Sequence, residues 1–206
     1  MNLASKVNID RVQLLSSIGS MFPKGKGVEV GVYKANFSRQ IVESWKGTLY
    51  MVDVWRPIEY ESYQDATNHI HGDVFEEAMN NIRGYEDRAI MIRAESAAAA
   101  EIFADGSLDF VYIDANHSYD SVCEDIDIWY PKVKKGGFLC GHDYLDIDWN
   151  SDKLFAENGI DKHIYFGGEY CGMFGVNPAV DRFCEKNSYR PEVTNEWFGS
   201  WFIRKK

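Results

Sequence analysis

The sequence predicts an α/β fold with a parallel sheet. Short apolar runs alternate with helical patterns at least five times, as in β-α-β units joined by right-handed crossovers. One run, Val28-Glu29-Val30, passes through a glycine turn at Gly31 into a helical stretch beginning near Asn36. Another, Phe110-Val111-Tyr112-Ile113-Asp114, leads into Ala115-Asn116-His117-Ser118-Tyr119. Both carry an acid near the strand end, and ligands of such sheets bind beyond the carboxyl ends of the strands.

The elements follow in order. Ile9, Val12, Leu14, Leu15 and Ile18 lie at helical spacing, which gives an N-terminal helix over 8–20. Pro23, Gly25 and Gly27 then interrupt the chain before the first strand. Asn36 is read as the cap of a helix through Trp45, and Gly47 restarts the chain into a strand over 48–54. Residues 55–72 are polar and aromatic without a period and read as an active-site loop or lid. A helix over 73–83, a strand over 89–92 and an alanine-rich helix over 95–103 come next. Asp105-Gly106 turns into a strand over 108–113, and a helix over 118–130 stops before Pro131. Gly136-Gly137 opens a strand over 138–141. Beyond 145 the pattern predicts a helix near 151–157 and strands over 172–176 and 197–203 around a helix at 178–186. Those two strands would close the sheet, as an antiparallel pair.

At 206 residues the chain can bury a full core, and it reads as a single domain, 1–206. Residues 1–24 form the N-terminal helix and lead-in, and 25–205 the core. A net charge of −10 argues against tight nonspecific binding to nucleic acid. No apolar run approaches the roughly 20 residues that span a bilayer. Residues 1–10 lack the apolar centre of a secretory signal, so a cytoplasmic protein is expected. None of the four cysteines is spaced as C-x-x-C, which argues against structural zinc. Cys123 and Cys140 read as core residues.

The strand ends carry the chemistry. Glu29 sits in an apolar strand, where a carboxylate needs a partner such as helix N-terminal amides or a cation. Gly31 permits close backbone approach to a ligand, and the next helix start offers free N–H groups. Tyr33 and Asn36 stand where G-x-G-x-x-G would have its later glycines, so a pyrophosphate-bearing cofactor is disfavoured. Ser38 follows on the same helix start. Asp53, 22 residues past Gly31, is placed to accept ribose hydroxyls, or else is a solvated strand end. Trp55 either stacks on an adenine or fills a small loop core. Glu95 and Ser96 follow the third strand; Ser96 either meets the cofactor or caps the alanine-rich helix. Asp114 and Asp143 close the fourth and fifth strands beside His117 and His142. Such a set suits a divalent cation, or a polar cluster without one, and a histidine suits a general base.

Together these residues resemble the class I S-adenosylmethionine-dependent methyltransferases. Within that class the chain is similar to the small O-methyltransferases related to macrocin O-methyltransferase. Tyr112-Ile113-Asp114-Ala115-Asn116-His117-Ser118-Tyr119 resembles the signature IDGDHSY, and Lys135 to Tyr144 resembles the strand GG-apolar-DDY. The likeness spans roughly residues 25–205. It implies a Rossmann-like fold with a mostly parallel seven-stranded sheet and helices on both faces. It implies that Glu29, Gly31 and Asp53 hold S-adenosylmethionine, with Asp114 beside it. It also implies Mg²⁺ or another divalent cation on Asp114, His142 and Asp143, with His142 standing where the family has an acid. His117 is then the preferred base. The expected partner is a small hydroxyl acceptor, sugar-like or aromatic, and neither nucleic acid nor membrane; self-association stays open. Tyr60, Tyr63, His69, His71, Tyr165 and Tyr170 are candidates to stack on it. The alternatives are a non-catalytic binder of the same cofactor and a nucleotide-dependent oxidoreductase. The second lacks its glycines.

Overall fold

The computed structural model describes residues 4–56, 73–145, 155–156, 162–166 and 169–206, with 155–173 as backbone only. The elements are β1 (Ser5–Lys6), α1 (Arg11–Met21), β2 (Lys26–Val30), α2 (Asn36–Ser44), β3 (Thr48–Asp53) and α3 (Val74–Asn81). Then come β4 (Ala89–Arg93), α4 (Ser96–Ala100), β5 (Leu108–Ile113), α5 (Tyr119–Trp129), a 3-10 turn (Tyr130–Lys132) and β6 (Val133–Leu145). The chain closes with β7 (Phe155–Ala156), β8 (Lys162–Phe166), β9 (Glu169–Phe174), α6 (Val176–Lys186), β10 (Glu192–Val193) and β11 (Phe198–Arg204).

Eight strands form one sheet in the order β1-β10-β11-β6-β5-β2-β3-β4. The five from β6 to β4 in that order are mutually parallel, and β11 runs antiparallel to β6. The sheet thus has eight strands, not seven. The extra pairing comes from β1 and β10, two residues each, too short to leave a hydrophobic pattern. The antiparallel closure by β11 matches expectation. Strand β9 does not join it; it pairs with β8 in a separate three-stranded sheet. Residues 155–156 are extended and pair with β8, where a helix was expected, and the rest of that span lies outside the described residues.

Parallel strands covered on both faces read as continuous apolar runs, and β5 is buried at all six positions. Phe110 and Tyr112 face α1, α2 and α3 through Leu15, Ile18, Ile41, Val42 and Ala78. Val111 and Ile113 face α4, α5 and α6 through Ala99, Val122, Ile126, Trp129 and Val180. Each large apolar side chain so buried contributes about 1.5–3 kcal/mol. Helix α1 starts sharply because Asp10 and Gln13 form a reciprocal capping box, with Gln13 N–H donating to Asp10 Oδ1 at 2.8 Å.

Two local expectations change. Asn36 is the first helical residue of α2, not its cap; Ala35 holds that place in a left-handed conformation, φ 60°. The Asn36 side chain instead accepts from Asn81 Nδ2 at 3.1 Å, tying α2 to α3. Gly136-Gly137 does not open the last parallel strand. β6 starts at Val133, and its register against β5 jumps from Val133 to Phe138, so the glycines lie in the looped-out stretch between.

The chain leaves β2 toward β3 on one side, and β5 lies on the other. The sheet reverses direction there, so β2, β3 and β5 open a crevice at their carboxyl ends.

Candidate functional site

A cavity of about 650 Å³ occupies that crevice, within the range of small-molecule sites. Glu29, Gly31, Tyr33, Asp53, Glu95, Ser96, Asp114 and His117 line it. Arg11, Phe37, Glu124 and Asp125 line it too, and the sequence reading missed all four.

Gly31 has φ 87°, and a Cβ there would fall 2.0 Å from the Asp114 carbonyl oxygen. Its lack of a side chain lets the tips of β2 and β5 meet. The turn after it is held by Asp53, whose Oδ2 accepts the amides of Val32 and Tyr33 at 2.9 Å each. Asp53 Oδ1 accepts the amide of Trp55 at 2.8 Å. One carboxylate therefore shapes the loop and stands at the cavity wall.

Glu29 is 1% exposed and accepts from the Ser38 hydroxyl. Burial pushes its pKa up to about 8, against the hydrogen bond from Ser38 and with help from Asp114. Ser38 itself is fully buried and stands behind Glu29, outside the cavity lining. Trp55 fills core: it is 4% exposed, its indole N–H donates to the Tyr33 carbonyl at 2.9 Å, and its ring meets Phe75 edge-on at 5.2 Å. It does not line the cavity. Glu95 pairs with Arg56 at 2.7 Å on the outer side. The Ser96 hydroxyl donates to Asp125 and accepts from Trp129 Nε1 at 2.8 Å, so it does not cap α4. Burial pushes Asp125 up to about 7.

Asp114, His117, His142 and Asp143 do come together. His117 Nε2 lies 2.8 Å from Asp143 Oδ2 and 3.6 Å from Asp114 Oδ1. The His117 ring stacks on Phe174 at 4.9 Å and 8° between planes, and its carbonyl accepts the Gly175 amide at 2.7 Å. The junction of β9 and α6 thus fixes the ring. Asp143 is a non-glycine residue at φ 60°, a conformation that needs support from its surroundings. Burial alone would raise its pKa; His117 and His142 outweigh that and hold the carboxyl well below the usual range. Burial disfavours charge on His142, but Asp114 and Asp143 prevail and raise its pKa.

Asp114, His117 and Asp143 each offer a ligand atom, all within 4.8 Å of one another. The expected metal set had His142 in that place. His142 instead lies beside the trio, with Nδ1 3.3 Å from Asp143 Oδ1 and Nε2 3.4 Å from Arg11 Nη1, and it does not line the cavity. The reason is register: β6 turns Asp143 toward His117 through its left-handed backbone and leaves His142 facing α1. Tyr60, Tyr63, His69 and His71, and the side chains of Tyr165 and Tyr170, lie outside the described residues.

The acids along the cavity suit a cationic ligand, and the amides at the start of α2 suit a carboxylate. S-adenosylmethionine carries both a sulfonium and an amino acid end, so the lining fits it. Known structures share the fold. The structure is similar to a putative caffeoyl-CoA O-methyltransferase from Staphylococcus aureus, with TM-score 0.65 and 16% identity over 97% of this chain and 86% of that one. It is also similar to cofactor-bound Rv0187 from MTB, with TM-score 0.62 and 14% identity over 97% and 82%. An uncharacterized protein of Acanthamoeba polyphaga mimivirus is 35% identical over 60 residues, 29% of this chain and 27% of that protein. The chain thus matches about a quarter of that relative's length. Residues 27–144 match the family described as Methyltransferase domain, Methyltransf_24.

Fold, site and match define the class: the chain carries a methyltransferase domain. Within it, the chain belongs to the Methyltransf_24 family. No helix among the described residues is long and apolar enough to cross a membrane.

Proposed function

We propose that this methyltransferase acts on a hydroxyl oxygen of a small acceptor, sugar-like or aromatic. The observation that carries the reading is the His117–Asp143 pair, 2.8 Å apart, with His117 at the wall of the cavity. The bound cofactor supplies an electrophilic methyl group and leaves as S-adenosylhomocysteine. Glu29 and Asp53 hold it at the tips of β2 and β3. His117 takes the acceptor's proton, and Asp143 stabilises the imidazolium that forms. Phe174 keeps the imidazole plane in place. Holding acceptor and donor in line supplies several kcal/mol, up to about 7–11.

A second reading adds a divalent cation, Mg²⁺ or another, and is favoured by the spacing of Asp114, His117 and Asp143. Bound there, it would lower the pKa of the acceptor hydroxyl. His117 would then be a ligand rather than the base, and its imidazole would tilt the choice of metal away from Mg²⁺.

Methyl transfer to a panel of catechols and sugars, followed by mass spectrometry with and without EDTA, tests both. Oxygen methylation unaffected by EDTA supports the base reading. Loss on EDTA with recovery on Mn²⁺ supports the cation. Transfer to nitrogen or sulfur alone would contradict the proposal, and cofactor binding without any turnover would favour the non-catalytic alternative.

A further inference from the structure

We propose that Arg11 recognises the acceptor by binding an anionic group, a carboxylate or a phosphate, carried close to the hydroxyl that is methylated. This rests on the hydroxyl-methylation reading above and adds the class of substrate.

Arg11 is the first residue of α1, and the Asp10–Gln13 capping box fixes where that helix begins. Its guanidinium carbon lies 4.4 Å from the centroid of the Phe37 ring. That contact holds the plane of the fork and uses none of its N–H donors. Nη1 is 3.4 Å from His142 Nε2 and 3.9 Å from Asp114 Oδ2. Strong charge-assisted bonds run at about 2.7–2.9 Å, so both contacts are loose. The side chain is 33% exposed and lines the cavity beside Asp114 and His117. A guanidinium that lines the cavity is thus held by its face and bound only loosely through Nη1.

The other groups near it narrow what it meets. Lys34 also lines the cavity, but its Nζ lies 2.8 Å from Glu77 Oε2. The amides at the start of α2 suit the donor's own carboxylate. Asp114 lines the cavity with Asp143 close behind it, and carboxylates there repel an anionic acceptor unless a cation offsets them. Arg11 is the cation in that position. Giving up the 3.9 Å contact with Asp114 costs little, because a partly exposed pair of that length contributes little.

The test uses the full chain saturated with S-adenosylhomocysteine. Titration by NMR compares salicylate with 2-hydroxybenzyl alcohol, and glucose 6-phosphate with glucose. At least one anionic probe is expected to bind about tenfold or more tightly than its neutral partner, about 1.4 kcal/mol. The pair that shows the preference separates carboxylate from phosphate. R11Q should erase the preference and R11K keep part of it, while both bind S-adenosylhomocysteine within about twofold of the parent. Equal binding within both pairs overturns the proposal, as does a preference that survives R11Q. Weaker S-adenosylhomocysteine binding in R11Q and R11K would assign Arg11 to the donor's carboxylate and overturn it too. A parent chain that does not bind S-adenosylhomocysteine would instead defeat the methyltransferase reading beneath it.

Discussion

Glu29 shows how one buried side chain can report on ligand binding. Its carboxyl is neutral near pH 7 because burial pushes its pKa up to about 8. A cationic ligand beside it favours the charged form and lowers that pKa. Cofactor binding near pH 7 should therefore release up to about one proton. Calorimetry in phosphate and in Tris would show it as a buffer-dependent enthalpy, and equal enthalpies would contradict the placement of Glu29. Asp53 differs, because it already accepts three backbone amides. Asp53→Ala should raise the dissociation constant for S-adenosylhomocysteine about tenfold or more and change kcat at saturating cofactor far less. An unchanged constant would remove Asp53 from the cofactor site. His117→Ala should lower kcat about a hundredfold or more at neutral pH and leave cofactor affinity intact. An unaltered rate would clear His117 of the base role.

At the scale of elements, short strands and a capped helix bring these residues together. Asp10→Ala breaks the capping box and should cost about 1 kcal/mol, read as a lower Tm, because the Gln13 amide at the start of α1 loses its partner. The parallel strands were legible because burial on both faces leaves apolar runs with acids at their tips, as at Glu29, Asp53 and Asp114. Arg11 was not, since nothing local says that the first turn of α1 packs on Phe37 and faces β5. Asp125 looked like one more acid on an amphipathic helix; only its burial against Ser96 and Trp129 sets it apart. The approach of Asp143 to His117 was hidden as well, because it depends on the left-handed backbone at Asp143. Strands β1 and β10 are too short to carry a pattern.

For the whole molecule, the buried acids set the direction of its pH response. Glu29 and Asp125 have folded pKa values of about 8 and about 7, above the ordinary carboxyl values of 4.5 and 3.8. The folded chain therefore binds more protons than the unfolded chain between those limits. The stability these acids contribute is full below pH 4 and is lost as pH rises through 7 to 8. The Tm of the cofactor-free protein should fall between pH 5.5 and 8.5 by roughly 5 °C or more. Glu29→Gln with Asp125→Asn should flatten that slope, and a slope unchanged by both would contradict the assignment.

Isothermal titration of the intact chain with S-adenosylhomocysteine goes most directly to the crevice at the tips of β2, β3 and β5. One molecule per chain should bind in the micromolar range and be displaced by S-adenosylmethionine. A flat titration with both compounds, from a chain that melts cooperatively, would mean that these strand tips hold something else.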